Sequence, residues 1–282
     1  MLELTPRVVQ LLDSYADGQD ARHCRLRIAE PQAGDLAAQP GQFFMLGVPG
    51  LGEAPFTYVS PPDAQGVFSA LIRRTGRLTT QLSTLPPGVL LGYRGPFGQG
   101  WPQFSAPQAV LAIAGGCGLA PLAGWIDAAL RQPAPARLCV LYGARSAAAQ
   151  VLGRERTRWR SALPLLETLD EGEPAALRGA PLARLERLLV EEELPQAVLC
   201  CGPEAFMLAC AEACLHHGVA AQRIWLSVER RMHCAVGLCG HCYIADSYAC
   251  VDGPTYRYDR YRELLARSNL RGVAPGHAAG PC

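Results

Sequence analysis

The sequence predicts a β barrel followed by an α/β unit: an antiparallel barrel, a parallel-sheet nucleotide-binding domain, and a small lobe at the C-terminal end. Three observations carry that expectation. Short strands broken by turns fill the first third of the chain, and from Gln108 apolar strands alternate with helical stretches. Far along the chain, Cys234, Cys239, Cys242 and Cys250 stand at the spacing C-x4-C-x2-C-x7-C within RMHCAVGLCGHCYIADSYACVDGP.

Between about Arg7 and Pro102, the runs 23–29, 42–48, 57–60, 67–73 and 89–94 read as strands, with Gly, Pro and Asp between them. Short strands in such succession close into an antiparallel barrel. From Gln108, VLAIAG is a buried strand, residues 119–130 are helical, RLCVLYGAR is a second strand and AVLCCG a third. Such alternation builds a parallel sheet. Residues 181–193 form an amphipathic helix with Leu182, Leu185, Leu188 and Leu189 on one face. A third segment begins near Ser227 and holds the four cysteines, and after Arg262 a stretch rich in Gly, Ala and Pro reads as a mobile tail. The expected division is 1–104, 105–226, 227–262 and 263–282, with no internal repeat.

Composition narrows the function classes. A chain of 282 residues exceeds what one hydrophobic core comfortably organises, which suits two domains and an appendage. With 26 basic and 25 acidic residues it lacks the basic excess that a nucleic-acid or anionic-membrane partner requires. Twelve cysteines and a start, MLELTPRVVQLLDSY, without a basic and apolar leader point to a reducing, cytoplasmic setting. Residues 109–130 are apolar, but GGCGLAP and Asp127 interrupt them, so they read as strand, turn and helix rather than as a membrane span.

The cysteine spacing matches a plant-type [2Fe–2S] ligand set, because soft thiolates hold iron–sulfur clusters. Gly237 and Gly240 allow the loop to wrap and bring amides close to sulfur. A four-cysteine zinc usually shows two paired ligand sets, and CGHC as a thiol–disulfide centre belongs early in a thioredoxin-like unit. An inert apolar core seldom carries two glycines among four cysteines.

A second signal concerns phosphate. Gly115, Gly116 and Gly118 follow an apolar strand and open a helix, leaving amides free for a pyrophosphate, although GGCGLAP is not G-x-G-x-x-G. CGPEAFM, residues 201–207, repeats the arrangement at the end of another strand, and sheets of this kind gather ligands at that edge. Cys201 would face the bound ring, whereas Cys200 reads as a buried core cysteine.

Taken in order, APFTYVS, RRTGRLTTQL, RGPFGQGWP, GGCGLAPL, LYGAR, CGPEAFM and SVERRMHCAVGLCGHC resemble the ferredoxin–NADP reductase superfamily over almost the whole chain. The cysteine box is similar to those of diaphorase (gamma) subunits of cytoplasmic NAD(P)-linked [NiFe] hydrogenases, and of the electron-transfer subunits of anaerobic sulfite reductase and dihydroorotate dehydrogenase. The resemblance implies a Greek-key flavin-binding barrel. The family motif R-x-Y-S/T falls on Ala54, Pro55, Phe56 and Thr57, so Phe56 would pack on the isoalloxazine and the Thr57 hydroxyl would reach flavin N5. Tyr58 and Val59 continue that flavin strand. Ala54 stands where the family has an arginine for the flavin pyrophosphate; Gly76, Leu78 and Thr79 match the helix start that receives it.

The same resemblance puts pyridine nucleotide on Gly115, Gly116, Gly118 and Pro121, with Cys117 in an aliphatic position. Gly202 and Pro203 then match the Cys-Gly-Pro element that sets Cys201 beside the nicotinamide. Arg145 would meet a ribose or phosphate, and Arg154, Arg156 and Arg158 either serve a 2′-phosphate or form a solvated helix face, leaving NAD and NADP both open. The implied activity passes hydride between NAD(P)H and FAD, with Thr57 and Cys201 at the reacting centre, and then single electrons to a [2Fe–2S] cluster on Cys234, Cys239, Cys242 and Cys250. An iron–sulfur subunit of a hydrogenase-like complex would be the partner. A free-standing oxygenase or ferredoxin reductase and a zinc-stabilised nucleotide-binding scaffold are the rivals, one distinguished by a lack of partners and the other by a lack of sulfide.

Overall fold

In the structure, a computed structural model describing residues 4–104 and 108–270, the first third closes into a barrel. Its elements are β1 (Arg7–Ala16), β2 (Ala21–Ile28), a short helix α1 (Ala33–Leu36), β3 (Phe43–Val48), β4 (Gly52–Ser60), β5 (Val67–Arg73), helix α2 (Arg77–Thr84) and β6 (Leu90–Phe97). They pair antiparallel in the order β1-β2-β5-β4-β3-β6. Alternating inward residues fill the centre with aromatic rings: Phe44, Tyr58, Phe68 and Tyr93 are buried and in mutual contact. Their hydroxyls are satisfied in sequence. Tyr58 and Tyr93 share a 2.6 Å hydrogen bond, Tyr93 donates to Asp35 at 3.1 Å, and Arg7 closes on Asp35 at 2.6 and 2.7 Å.

The second unit carries β7 (Ala109–Gly115), a 3-10 turn over Gly116–Leu119, α3 (Ala120–Leu130), β8 (Arg137–Ala144), α4 (Gly153–Trp159), β9 (Leu165–Leu169), α5 (Pro181–Glu191), β10 (Ala197–Cys201), α6 (Glu204–His216) and β11 (Ile224–Ser227). The parallel strands lie in the order β11-β10-β7-β8-β9. Strand order therefore reverses between β7 and β10, and the carboxyl ends of those two neighbours open a crevice. β7 reads as a continuous apolar run because both of its faces are covered: Leu111 and Ile113 face one core, Ala112 and Ala114 the other. Barrel and sheet are tied at α3. Trp101 Nε1 donates to the Pro121 carbonyl at 2.7 Å and Trp125 Nε1 to the Pro102 carbonyl at 2.9 Å, while a Cβ on Gly124 would sit 3.1 Å from the Val59 carbonyl. At the other edge Asp17 accepts from the Gly153 amide at 3.1 Å, capping α4 across the junction.

After β11 the chain makes an excursion through a ribbon, β12 (Tyr243–Ile244) and β13 (Ser247–Tyr248), then returns as β14 (Thr255–Arg257) antiparallel to β11. Helix α7 (Tyr258–Leu270) follows, with Tyr258, Tyr261 and Leu264 buried in the core that also holds Leu226 and Met207. The C-terminal lobe is stitched to the nucleotide sheet, and residues 263–270 of the expected mobile tail are helix. The remainder of that tail, 271–282, lies outside the described residues. No helix among the described residues is long and apolar enough to cross a membrane.

Candidate nucleotide cleft and cysteine centre

A cleft of about 990 Å³ lies at the carboxyl edge of the sheet. The structure brings Gly115, Gly116, Gly118, Arg145, Gly202 and Pro203 together along its wall. Glycine is required here for space as well as for backbone freedom: a Cβ on Gly118 would collide with the Cys201 carbonyl, and Gly116 has φ 55°. The turn that follows β7 thus presents backbone, with Cys117 its one side chain, to whatever occupies the crevice, which fits a pyrophosphate.

Cys201 departs from expectation. It is buried, its thiol donates to the Ser227 carbonyl at 3.6 Å, and burial followed by the charge of Glu229 pushes its pKa up. The residue belongs to the buried core shared with α3 and is not among the residues lining the cleft. Cys117 does line the wall, its thiol likewise pushed up by burial. Pro121 is absent from the wall; its carbonyl is engaged by Trp101 as part of the barrel-to-sheet junction.

The expected flavin strand is β4. Phe56 and Thr57 are partly exposed, with Phe56 packed on Phe44 at 6.2 Å between centroids. Of the next two residues, the Tyr58 ring points into the barrel core and Val59 into the core shared with α3, which leaves their backbone as the part that can face a flavin. At the start of α2, the Thr79 hydroxyl accepts the amides of Thr75 and Gly76, each at 2.9 Å. This cap leaves the first-turn amides of Arg77, Leu78 and Thr79 without intrahelical partners. That donor set fits a pyrophosphate.

The four cysteines meet in a loop with little regular structure. Cys242 and Cys250 are buried, Cys234 is half-buried and Cys239 exposed. Their thiols fall into two neighbouring pairs, Cys234 with Cys239 and Cys242 with Cys250. The amides of Val236, Leu238 and Cys239 point at Cys234 Sγ from 3.5, 3.3 and 3.4 Å, and that of Gly237 at Cys250 Sγ from 3.3 Å. Left-handed backbone at Ala235, Gly237 and Gly240, φ 63°, 75° and 77°, turns those amides inward. Burial alone would raise the Cys239 pKa, but the amides of His241 and Cys234 outweigh it and pull it down. Cys250 is pushed up to about 12 by burial and by the Cys242 thiol beside it; a bound metal ion would strip that proton. Four thiols in one loop, with amides donating to Cys234 and Cys250, fit an iron–sulfur cluster.

Two connections went unread in the sequence. Arg94 on β6 is buried at 3 % exposure, forks onto Glu53 of β4 at 2.5 and 3.1 Å, and donates to the carbonyls of Cys234 at 2.9 Å and His233 at 3.3 Å. It joins the strand of Phe56 and Thr57 to the cysteine loop. The signal was available, since an arginine within the strand LLGYRGPF must find partners if buried. On the wall of the cleft, Glu204 holds Arg230 at 3.0 and 3.2 Å and bonds Tyr261 of α7. Burial works against the charge of Glu204, yet those two partners hold its carboxyl below the usual range.

A barrel, a nucleotide sheet with glycine-lined crevice and a sulfur-rich lobe together define an NAD(P)H-dependent oxidoreductase of the ferredoxin–NADP reductase type. Comparison with known proteins agrees. Residues 112–212 match the oxidoreductase NAD-binding domain and residues 229–261 the iron–sulfur cluster binding domain of dihydroorotate dehydrogenase B. The sulfhydrogenase 1 gamma subunit of Pyrococcus furiosus is 31% identical, over 89% of this chain and 90% of that one. A probable dihydroorotate dehydrogenase B (NAD(+)) electron transfer subunit of Methanopyrus kandleri is 30% identical, over 97% of each. The solved structure of an NADH-dependent reduced ferredoxin–NADP oxidoreductase superposes with TM-score 0.73 at 22% identity, covering 94% of this chain and 98% of that one. The chain belongs to the family of sulfhydrogenase gamma and dihydroorotate dehydrogenase B electron-transfer subunits, on a fold of the ferredoxin–NADP reductase type. Flavin, NAD(P)H and an iron–sulfur cluster are the groups this architecture serves, and a redox subunit is its partner.

Proposed function

We propose that this chain is the electron-transfer subunit of a cytoplasmic [NiFe] hydrogenase complex, connecting NAD(P)H with an iron–sulfur partner through FAD and a [2Fe–2S] cluster. The observation that carries the reading is the cysteine loop, with its sulfurs in two pairs, clasped by Arg94 to the strand that bears Phe56 and Thr57. In this reading residues 1–104 serve the flavin, 105–226 the pyridine nucleotide and 227–262 the cluster, with Cys234, Cys239, Cys242 and Cys250 as ligands.

Bound flavin supplies the exchange between two-electron hydride chemistry and single electrons. Phe56 gives the ring an apolar seat, the Thr57 hydroxyl exchanges a hydrogen bond with N5, and Gly76, Leu78 and Thr79 hold the pyrophosphate at the start of α2. Gly115, Gly116 and Gly118 seat the nucleotide phosphates; Gly202 and Pro203 shape the place for the nicotinamide, with Cys201 as a neutral support below it. Exposure of Cys239, flanked by exposed Leu238, Tyr243 and Val251, gives the partner an apolar approach to the outer pair of sulfurs.

A second reading is favoured by the match of residues 229–261: the same device serving a dihydroorotate dehydrogenase. Anaerobic visible and EPR spectra, with iron and sulfide analysis, test the common core. Flavin absorbance, a reduced-cluster EPR signal and equal iron and acid-labile sulfide are expected; zinc without sulfide would overturn both readings. Co-purification with a hydrogenase catalytic subunit or with a dihydroorotate dehydrogenase decides between them.

A further inference from the structure

The nucleotide cleft is chemically uneven along its length. At the end nearest the strand-order reversal the Gly115–Gly118 turn and Gly202 present backbone, beside Glu229 and a Glu204 already bonded to Arg230 and Tyr261. Arg73 from the barrel stands at this end, close enough to Cys117 to act on its thiol, and so faces the phosphate turn. At the far end, beyond the carboxyl ends of β8 and β9, the wall carries Arg145, Ser146, Asp170 and Glu171. Arg145 is not free there: its Nε donates to Glu171 at 3.0 Å, leaving Asp170 as the uncompensated charge of the group.

Among the described residues, the other arginines that a 2′-phosphate could call on from this side of the sheet are committed elsewhere. Arg154 lies over the Tyr15 ring at 3.8 Å, Arg156 is buried against Glu167, and Arg158 pairs with Asp127 at 3.0 Å. None of the three lines the cleft. Arg178, just past β9, is held by the Gly172 carbonyl at 3.2 Å and Glu173 at 3.6 Å. A nucleotide whose pyrophosphate sits on the glycine turn and whose nicotinamide faces the barrel lays its adenosine ribose across the ends of β8 and β9. There a ribose diol finds carboxylate acceptors, whereas a phosphate dianion meets carboxylates and a neutralised arginine.

We propose that this chain selects NADH over NADPH, and that Asp170 and Glu171, with Arg145 neutralised, are the specificity-determining residues. The inference rests on the nucleotide reading of the cleft given above. Glu171 does two things at once: it accepts from the ribose, and it withholds Arg145 from a phosphate. Glu171→Gln undoes both, releasing a cation where the 2′-phosphate would lie. Because Arg145 and Glu171 are 80% and 60% exposed, the exchange leaves the packed sheet alone.

The test uses the flavin-loaded full chain and two readouts. Anaerobic stopped-flow flavin reduction should favour NADH over NADPH in kcat/KM by roughly 10- to 100-fold, the range expected from one or two like charges near the surface. Calorimetric titration should show the same bias for ADP-ribose over its 2′-phosphate, without any redox step. In Glu171→Gln the ratio should shrink roughly tenfold, and Asp170→Asn, Glu171→Gln should bring the two nucleotides close to parity. Wild-type protein that uses NADPH as well as or better than NADH, or a ratio unmoved in Glu171→Gln, would overturn the inference and leave the function intact. Flavin reduction by neither nucleotide would overturn the function itself.

Discussion

The nucleotide edge and the cysteine loop are two binding regions built by opposite means. The edge is made of backbone at the ends of hydrogen-bonded strands, and its geometry is set by sheet register: Cys201 pairs with Ala114 and Gly143 with Gly115. The cysteine loop has only the two-residue strands β12 and β13 between its ligands, and keeps residues such as Ala235 in left-handed backbone that ordinarily costs about 1 kcal/mol or more. One site is formed by the fold before any ligand arrives. The other depends on its ligand and on neighbours such as Arg94. Ligands held covalently need little scaffold, while ligands that come and go need a rigid one.

That contrast can be broken by single substitutions. The largest effect is expected from Cys239→Ser, which should reduce one-electron transfer to background while NADH still reduces the flavin; equal loss of both rates, followed by stopped-flow absorbance, would show that the two regions are not separable. Next comes Gly118→Ala at the edge. The added methyl meets the Cys201 backbone, so about 3 kcal/mol or more of stability should be lost in denaturant unfolding, with nucleotide binding weakened and iron content unchanged. Arg94→Met sharpens the comparison at the junction. It removes charge-assisted hydrogen bonds whose acceptor Glu53 keeps 29% exposure, so stability should fall by only ~1–3 kcal/mol. The cluster EPR lines should broaden and flavin-to-cluster transfer slow roughly tenfold as the loop loses its position, with hydride transfer unaffected.

Much of this division was legible in the residues. The strand 67–73 was read to the residue, and 42–48, 89–94 and the helix 119–130 nearly so, because turn residues bound them and their apolar spacing is regular. β1 was not resolved as a strand. Its register shifts between Leu11 and Asp13, and that bulge breaks the alternation on which the reading depends. Helix α7 was missed because its composition is polar, though Tyr258, Tyr261 and Leu264 recur at the spacing of one buried stripe. At the sites, sequence spacing found the cysteines and the glycine turns, where chemistry is written in residue type. It does not show that the side chains of Tyr58, Val59 and Cys201 turn into the core, since that depends on which way a strand side chain points. It could not show that Arg154, Arg156 and Arg158 already had partners, since those partners are distant in the chain or belong to another element.

The excursion from β11 to β14 begins and ends on adjacent, hydrogen-bonded strands, with the Val228 amide donating to the Pro254 carbonyl at 2.9 Å where it leaves and returns. The cysteine-bearing segment is therefore an inserted cassette. Such an insert can change in length or content without re-threading the chain beneath it, so what hangs from this one strand edge is free to vary while the sheet keeps its order.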